Sequence, residues 1–313
     1  MNDAVRKVVI VGGGSAGWLT AAVIAAEHPA GSGSGLEVTL LESPDVGAIG
    51  VGEGTWPTMR DTLRRIGVTE TDFIRACDAS FKQGTKFERW ASGHENDYYY
   101  HPFVLPQGYT ETNLVAGWLE RHADVPFADL VSFQPHLCAR GKAPKQAVTP
   151  EYAAVANYAY HLDAGKFGQF LRGHCTERLG VRHVLDHVVG IDSHDNGDIA
   201  ALRTKAHGAL TGDLFVDCTG LQSLLLGQHF GVALRSQQHV LFNDTALAVQ
   251  VPYADEGSAI ASQTLSTAQT SGWIWDIGLP TRRGVGHVYS SSHTSDDVAE
   301  RELREYVERT GVV

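Results

Sequence analysis

The sequence has few of the residues that build metal centres and disulfide frameworks. It contains 4 cysteines in 313 residues, and Cys77, Cys138, Cys175 and Cys218 form no CxxC pair. Its 15 histidines are dispersed, and none belongs to an HExxH pattern. Because metal sites and redox dithiols need closely spaced ligands, the sequence predicts buried thiols, a reducing cytoplasmic location and no bound metal.

The chain is also short of positive charge and of long apolar runs. Lys and Arg number 25 against 36 Asp and Glu, which gives a formal net charge of −11. Nucleic-acid surfaces need clustered Lys and Arg, so this balance argues against a nucleic-acid partner. No apolar run approaches the roughly 20 residues that cross a membrane, and the N-terminus has no signal-peptide pattern. We therefore expect a globular protein with neither nucleic acid nor membrane as partner.

The first forty residues predict a βαβ unit. Lys7–Val11 is a short apolar run typical of a buried parallel strand, and Leu36–Leu41 is a second one. A glycine turn and a helix through Trp18–Glu27 connect them. Further strands are predicted at Phe81–Trp90, Val181–Leu185, Val188–Ile191, Leu214–Cys218, Ala246–Val251, Gly272–Leu279 and Gly286–Ser290. Further helices are predicted at Thr58–Ile66, Thr69–Cys77, Lys166–Leu179 and Asp296–Arg309. This order indicates an α/β nucleotide-binding fold with an inserted region.

The glycine turn between the first strand and helix fits a dinucleotide site. The residues Gly12 to Gly17 read GGGSAG and match G-x-G-x-x-G. In this motif Gly12 permits the tight turn, Gly14 lets the backbone approach a pyrophosphate, and Gly17 lets helix and strand pack closely. Glu42 ends the second strand 25 residues after Gly17, close to the position of a ribose-binding carboxylate. A carboxylate there favours a ribose diol over the phosphate of NADP.

The motif alone leaves FAD and NAD open, and two other features favour FAD. A second glycine cluster, from Gly47 to Gly54, follows the acid, and the strand Leu214–Cys218 resembles the late return strand of FAD-binding monooxygenases. Tight loops in a compact domain are the structural alternative. Beyond the glycines and the acid, we expect cofactor contacts from five residues, Ser15, Ala16, Ala48, Gly50 and Val188.

Several segments resemble those of flavin-dependent tryptophan halogenases. The most specific is Trp273–Ile277, similar to the family's WxWxIP signature, with Gly278 where the family has Pro. The others are Gly50–Pro57 (GVGEGTWP), Phe81–Trp90, Tyr160–Phe167 and Leu241–Asp244. The similarity runs along the whole chain. It implies a FAD-binding, Rossmann-like fold of the flavin monooxygenase and halogenase type, with an inserted mixed β-sheet substrate region.

The resemblance also implies a domain order. We expect FAD-binding core at 1–90 and 166–230, a loop-rich substrate region at 91–165, and a β-sheet region with the WxW motif and terminal helix at 231–313. Family members continue well past the position of Val313, into another flavin-contacting segment, the halide site and a second catalytic carboxylate. Residues 1–313 alone are therefore expected to halogenate poorly.

The family reaction uses reduced FAD, oxygen and chloride or bromide to make hypohalous acid, which a lysine directs onto an electron-rich, indole-like ring. A separate NAD(P)H-dependent flavin reductase is the implied partner, and a homodimer is left open. A flavin-dependent aromatic hydroxylase and an inactive flavin-binding remnant are the alternatives. The hydroxylase needs neither a WxW barrier nor a lysine relay, so these features favour halogenation.

Lys82 matches the catalytic lysine of the family. Strand alternation over Phe81–Trp90 would place Lys82 and Lys86 on one face, where both would otherwise be ordinary solvated lysines. Burial would lower the pKa of a lysine toward reactivity. Trp273 and Trp275 share a strand face and match residues that line the passage near the flavin, although an aromatic core pair is the plain alternative. The matching substrate contacts are His101 and Phe103, whose rings are suited to holding an indole but equally to loop packing.

Overall fold

The computed structural model describes residues 4–33, 35–47, 50–255 and 257–311. Its strands, in chain order, are β1 (Lys7–Val11), β2 (Glu37–Glu42), β3 (Glu53–Gly54), β4 (Ser80–Lys82), β5 (Gly84–Glu88), β6 (Tyr98–Pro102), β7 (Ala159–Leu162), β8 (Arg182–Leu185), β9 (Val188–Ser193), β10 (Ile199–Thr204), β11 (Ala209–Thr211), β12 (Leu214–Asp217), β13 (Thr245–Pro252), β14 (Thr264–Gln269), β15 (Gly272–Gly278) and β16 (Arg282–Tyr289).

The helices, in chain order, are α1 (Ser15–Glu27), α2 (Thr58–Arg65), α3 (Glu70–Ala76), α4 (Leu114–Arg121), α5 (Phe127–Val131), α6 (Gln134–Ala139), α7 (Ala164–Glu177) and α8 (Asp296–Arg309). Short 3₁₀ and π turns follow β12, at Gly220–Gln222 and Leu224–His229. The predicted helices 58–66, 69–77, 166–179 and 296–309 are confirmed, with ends shifted by at most two residues.

Contacts along the chain define two compact units. Unit 1 contains the described residues of 1–49, 62–68 and 164–235, and unit 2 those of 50–61, 69–163 and 236–313. The sequence analysis expected four segments, with boundaries at 90, 165 and 230, and gave each segment a function. This division by function stays a prediction.

Unit 1 is built on a parallel sheet. The strand order is β12-β1-β2-β8, and each neighbouring pair is parallel. Strand β1 is buried and apolar over most of its length, as expected for a strand covered on both faces. Helix α1 connects β1 to β2 and packs against α7, burying Trp18, Ala21, Ala22 and Ala25 along one face. The predicted βαβ unit and the α/β, Rossmann-like fold class are confirmed.

A second, antiparallel sheet of order β11-β10-β9 completes unit 1. The turn between β9 and β10 contains Asn196 and Gly197, as the Asn-Gly signal predicted. Side chains from the parallel sheet and this sheet share one hydrophobic core, formed by Val9, Val11, Leu41, Val184, Leu202, Leu210 and Leu225. Burying these apolar groups together stabilises the carboxyl edge of the parallel sheet.

Unit 2 is built on a mixed six-stranded sheet of order β13-β16-β15-β14-β5-β6. Only β14 and β5 pair in parallel, and the other neighbours are antiparallel. Helix α8 packs on β16 and β13, and its Leu303 and Tyr306 join Val251, Ile274 and Val285 in a core. A smaller antiparallel sheet of order β3-β7-β4 belongs to the same unit.

The single strand predicted over 81–90 is wrong. The chain forms β4 and β5 there, and the two strands belong to different sheets. Gly84, at the junction, has φ of +137°, a backbone conformation that other residues rarely adopt. A Cβ on Gly84 would also lie 2.3 Å from the carbonyl oxygen of His101. The alternation that placed Lys82 and Lys86 on one face therefore does not apply.

The four cysteines are thiols, three of them buried and Cys218 half-buried. Within the described ranges, no three His, Cys, Asp or Glu side chains are grouped closely enough to hold a metal ion. A search of the same residues finds no helix with the length and apolarity of a membrane span.

Candidate functional site

Unit 1 contains a cavity of about 810 Å³ at the carboxyl ends of its parallel strands. Its walls come from the end of β1, the start of α1, the end of β2, the beginning of α7 and the segment after β12. The lining includes residues 11–15, 41–43, 164–165, 186–188 and 218–220. Ligands of open α/β sheets bind at this edge. We call this cavity the unit 1 pocket.

The three spaced glycines of the turn have three different surroundings. Gly12 has φ of +114°, and a Cβ there would lie 2.2 Å from the carbonyl oxygen of Cys218. A Cβ on Gly17 would lie 1.9 Å from the carbonyl oxygen of Gly12, so the helix and turn pack too closely for a side chain. A Cβ on Gly14 would meet no atom within 4 Å. Gly14 therefore leaves the space that a pyrophosphate needs to approach the backbone.

Glu42 ends β2 and lines the unit 1 pocket beside the glycine turn. A Cβ on Gly13 would lie 2.2 Å from the Glu42 side chain. Glu42 Oε2 lies 2.8 Å from His183 Nε2, on the neighbouring strand β8. The His183 ring stands edge-on to Trp18, with 5.1 Å between the ring centroids. His183 thus lies against the carboxylate. The sequence pattern did not single it out, because only the pairing of β2 with β8 brings it there.

Another wall of the pocket contains Asp186 and Val188. Asp186 Oδ2 accepts hydrogen bonds from the backbone N–H groups of Ala206 and His207, at 2.8 and 2.9 Å, and lies 2.7 Å from His207 Nδ1. Desolvation raises the pKa of Asp186, but these hydrogen bonds outweigh it and hold the pKa well below its ordinary value. Asp186 is therefore a fixed anionic acceptor in the pocket wall.

The structure brings most of the predicted cofactor residues together. Five of them line the unit 1 pocket: Gly12, Gly14, Ser15, Glu42 and Val188. Ala16 and Gly17 are in the first turn of α1. Gly50 belongs to unit 2, and Ala48 lies outside the described residues. Contact of these residues with a cofactor stays a prediction.

Lys82 ends β4 in unit 2, where the chain leaves one sheet for another. Its Nζ atom lies 5.9 Å from the ring centroid of Trp56 and 5.9 Å from that of Phe103. Gly54 is a third neighbour, since a Cβ there would come within 2.8 Å of Lys82 Nζ. The ammonium group is thus held by two aromatic rings and the backbone of a glycine.

The surroundings of Lys82 lower the pKa of its ammonium group. Burial lowers the pKa of the Lys82 ammonium, and no carboxylate among the described residues forms an ion pair with it. Nearby, burial and the charge of Lys82 lower the pKa of His161 to about 3. His161 is therefore a neutral imidazole, and its Nε2 lies 2.9 Å from Thr264 Oγ1. Lys82 releases its proton more readily than an exposed lysine does.

Lys86 has different surroundings. Its Nζ atom forms an ion pair with Glu88 at 2.7 Å, and both side chains are partly exposed. The same atom lies 5.0 Å from the ring centroid of Tyr98. Lys86 is thus a partnered lysine of β5.

Three aromatic side chains and Lys82 form a group that we call the lysine site. The ring centroid of Trp56 lies 5.6 Å from that of Phe103 and 6.5 Å from that of His101. His101 is exposed, and the Trp56 side chain is 61% exposed. The structure therefore places Phe103 beside Lys82 and His101 next to Trp56. Trp56 was missed because no periodicity marks it, although it belongs to the GVGEGTWP segment.

Trp273 and Trp275 lie two residues apart on β15. Their ring centroids are 6.4 Å apart, and Trp273 also lies 6.3 Å from Trp90. Trp275 faces Gly286 across the sheet, and a Cβ on Gly286 would lie 2.2 Å from the Trp275 ring. The indole Nε1 of Trp275 is buried and has no hydrogen-bond partner among the described residues. The predicted shared face is therefore present, and the role of the pair stays a prediction.

The two groups of residues have different chemical capacities. The unit 1 pocket offers backbone N–H groups at a helix start, a glycine that admits close approach, and the carboxylate of Glu42 at the end of β2. The lysine site offers a proton donor of lowered pKa next to aromatic rings that are open to a planar ligand. The first suits a dinucleotide, and the second suits a polar reaction on an aromatic ring.

Comparison with known proteins identifies the family of the chain. The family model for tryptophan halogenase matches residues 7–311. Tryptophan 6-halogenase SttH of Streptomyces toxytricini is 37% identical over 96% of this chain and 60% of that protein. Tryptophan 7-halogenase RebH of Lentzea aerocolonigenes is 34% identical over 97% of this chain and 59% of that protein.

A solved tryptophan halogenase from Shewanella frigidimarina is 54% identical, with a TM-score of 0.93 over 97% of this chain and 60% of that one. A flavin-dependent halogenase from Xanthomonas campestris is 36% identical, with a TM-score of 0.85 over 96% of this chain and 59% of that one. The chain thus spans about three-fifths of the length of the relatives it matches. It belongs to the flavin-dependent tryptophan halogenase family.

Proposed function

We propose that this chain carries the flavin-binding part and the lysine-bearing part of a halogenase that acts on an electron-rich, indole-like ring. The observation that carries the proposal is the lysine site. Lys82 is half-buried, has a lowered pKa and no carboxylate partner among the described residues, and lies beside Trp56 and Phe103. A structural lysine would instead be exposed or paired, as Lys86 is.

The unit 1 pocket fits FAD as the cofactor. The open space at Gly14 suits the pyrophosphate, and Glu42, in the pocket wall, is the proposed partner of the adenosine ribose. Ser15, Ala16 and Val188 are further proposed contacts, together with Gly12 and Gly17 of the turn. When bound in its reduced form, FAD would supply, with oxygen and chloride or bromide, the oxidised halogen for the reaction.

Lys82 would then direct the oxidised halogen. Its Nζ–H groups are not engaged by a carboxylate, so they are free to donate to the oxygen of a hypohalous acid. Because burial lowers the pKa of Lys82, its unprotonated amine is more accessible than that of an exposed lysine. Neutral His161 adds no competing charge.

The aromatic substrate would be held by Trp56, His101 and Phe103. Rings whose centroids lie 5.6 to 6.5 Å apart form a surface on which an indole can stack or stand edge-on. Lys82 Nζ lies at the edge of this surface. A substrate ring bound there would place a ring carbon toward the ammonium group. Trp273 and Trp275 are proposed to keep the substrate apart from the flavin.

Reduction of the flavin would come from a separate NAD(P)H-dependent flavin reductase. The glycine turn at residues 12–17 is the dinucleotide motif recognised in the sequence, and it forms part of the unit 1 pocket. A homodimer stays open.

The test is an assay of the purified chain with FAD, a flavin reductase, NADH, bromide or chloride, and indole or tryptophan under air. Mass spectrometry of the products should show the isotope pattern of bromine or chlorine on the ring. A hydroxylated product without halogen would contradict the proposal and show that the protein is an aromatic hydroxylase. Flavin binding without any modified substrate, both in this chain and in a longer chain that continues it as the relatives do, would leave only a flavin-binding protein.

A further inference from the structure

Phe103 is held by side-chain amides in place of sheet hydrogen bonds. It follows β6, whose pairing with β5 ends at Pro102. Gln134 Oε1 accepts hydrogen bonds from the backbone N–H groups of Phe103 and Val104, both at 2.8 Å. Asn157 Nδ2 donates to the carbonyl oxygen of Phe103 at 3.1 Å. Side chains therefore bond both the N–H and the carbonyl of this residue.

Gln134 also connects Phe103 to the chain next to Lys82. Gln134 Nε2 donates to the carbonyl oxygen of Asn157 at 2.6 Å and to Gln83 Oε1 at 3.4 Å. Gln83 follows Lys82 directly, and its own carbonyl oxygen accepts the N–H of Phe103 at 3.4 Å. Gln83 and Gln134 are both 0% exposed. Every hydrogen-bonding atom of the Gln134 amide is engaged.

Gln83 is itself fixed from two other segments. Its Nε2 donates to the carbonyl oxygen of Lys142 at 2.7 Å and to Ser262 Oγ at 2.9 Å. Its backbone N–H donates to the carbonyl oxygen of Ser262 at 2.6 Å. Because a buried amide that loses a partner is left unsatisfied, the network has one low-energy arrangement.

We propose that Gln134 is the positioning residue of the lysine site. Through Phe103, Val104 and Gln83 it sets where the Phe103 ring stands relative to Lys82 Nζ, and thereby which carbon of a bound aromatic ring faces the ammonium group. This consequence for the substrate rests on the proposed halogenase function. The placement of Phe103 by Gln134 does not depend on it.

Hydrogen–deuterium exchange of the intact chain tests the placement. In Gln134→Met the peptide covering residues 100–106 should exchange about tenfold faster than in the wild type, because the Val104 amide loses its acceptor and the Phe103 amide keeps only its 3.4 Å bond to the Gln83 carbonyl oxygen. The matched control is Gln263→Met, another buried amide of unit 2, which should leave this peptide unchanged. Unchanged exchange in Gln134→Met would overturn the proposal.

Steady-state halogenation tests the consequence. Gln134→Met should raise KM for the aromatic substrate about tenfold, change kcat less than twofold and alter the ratio of halogenated isomers. A general loss of packing would lower activity without shifting the isomer ratio. In a double-mutant cycle with Phe103→Ala, the second substitution should add little, because both remove the same wall. Fully additive losses, or an unchanged isomer ratio, would count against positioning.

Two further results distinguish a failure of the Gln134 proposal from a failure of the proposed function. If Gln134→Met does not fold, Gln134→Asn replaces it, since the shorter side chain withdraws the amide oxygen from the Phe103 and Val104 N–H groups. The same peptide should then lose protection, and full protection would contradict the proposal. If the wild type makes no halogenated product, the proposed function fails, and the exchange comparison still decides whether Gln134 fixes Phe103.

Discussion

The unit 1 pocket and the lysine site of unit 2 are built in different ways. The pocket depends on a short continuous segment, residues 12–17, and on the carboxylate of Glu42. The lysine site draws Trp56, Lys82 and Phe103 from separate segments. The first uses backbone atoms that glycine exposes, and the second uses side chains that buried amides hold in place. A local motif therefore reveals the first site, and only the folded chain reveals the full second one.

Lys82→Ala is expected to have the largest effect on halogenation, and it tests whether the lysine site and the unit 1 pocket have separate roles. Halogenation should fall about 10³-fold, because the group that holds and orients the oxidant is lost. Binding of FAD and oxidation of the reduced flavin should continue, since the unit 1 pocket does not contain Lys82. Mass spectrometry of the product measures halogenation, and flavin fluorescence measures FAD binding. Equal loss of flavin binding would contradict the separation of roles.

The stability of unit 2 should depend strongly on one buried ion pair. Glu70 and Lys145 lie 2.7 Å apart with side chains 4% and 10% exposed, and Glu70 also accepts from the hydroxyl of Tyr160 at 2.7 Å. Lys145→Met leaves the Glu70 carboxylate without its cation, which should cost about 3 kcal/mol of unfolding free energy in urea denaturation. The control is Arg65→Met in unit 1, whose exposed pair with Glu27 should matter little. Similar losses in both variants would contradict this contrast.

Gly14→Val should act on the cofactor and not on the fold. A Cβ at this position meets no atom within 4 Å, so the side chain is accommodated but fills the proposed pyrophosphate space. We expect the Kd for FAD to rise about 100-fold, near 2.7 kcal/mol, with an unchanged melting temperature. Gly17→Ala should have the opposite effect, on the fold and not on the pyrophosphate space. Its Cβ would lie 1.9 Å from the Gly12 carbonyl oxygen, so it should lower the melting temperature. Wild-type FAD affinity in Gly14→Val would show that the pyrophosphate does not bind at this turn.

Lys86→Ala should have the smallest effect. Lys86 stands four residues after Lys82, but its ammonium is paired with Glu88 on the same strand. We expect kcat and KM to stay within twofold of the wild type, because a partly exposed ion pair contributes less than about 1 kcal/mol. An essential Lys86 and a dispensable Lys82 would reverse the assignment of the catalytic lysine.

The sequence was sufficient for unit 1 where its patterns are local. β1 and β12 are short apolar strands, and the Asn-Gly pair marks the turn between β9 and β10. β14 was missed because its residues, TLSTAQ, are mostly small and polar. It is nevertheless buried in the middle of the six-stranded sheet, where its neighbours are β5 and β15. Such a strand is defined by its partners, and pattern analysis does not see them.

The lysine site was predictable only in part for the same reason. The family resemblance identified Lys82, His101 and Phe103, since each stands in or near a recognisable segment. It gave no reason to single out Gln134, which acts through hydrogen bonds to a segment about thirty residues away. Strand alternation misled the analysis at Gly84, because period-two patterns assume that a strand stays within one sheet.

The close approach of Gly286 to the Trp275 ring has a consequence for how such enzymes diversify. A Cβ at position 286 would lie 2.2 Å from the indole, so any side chain there must turn Trp275 away from its present orientation. The two residues are partners across β15 and β16, eleven positions apart in the chain. A Cβ there would also lie 2.7 Å from the backbone carbonyl oxygen of Leu247, so a smaller residue at 275 does not by itself free position 286, and an evolving lineage would have to reshape this wall at Trp275 while glycine stays at 286.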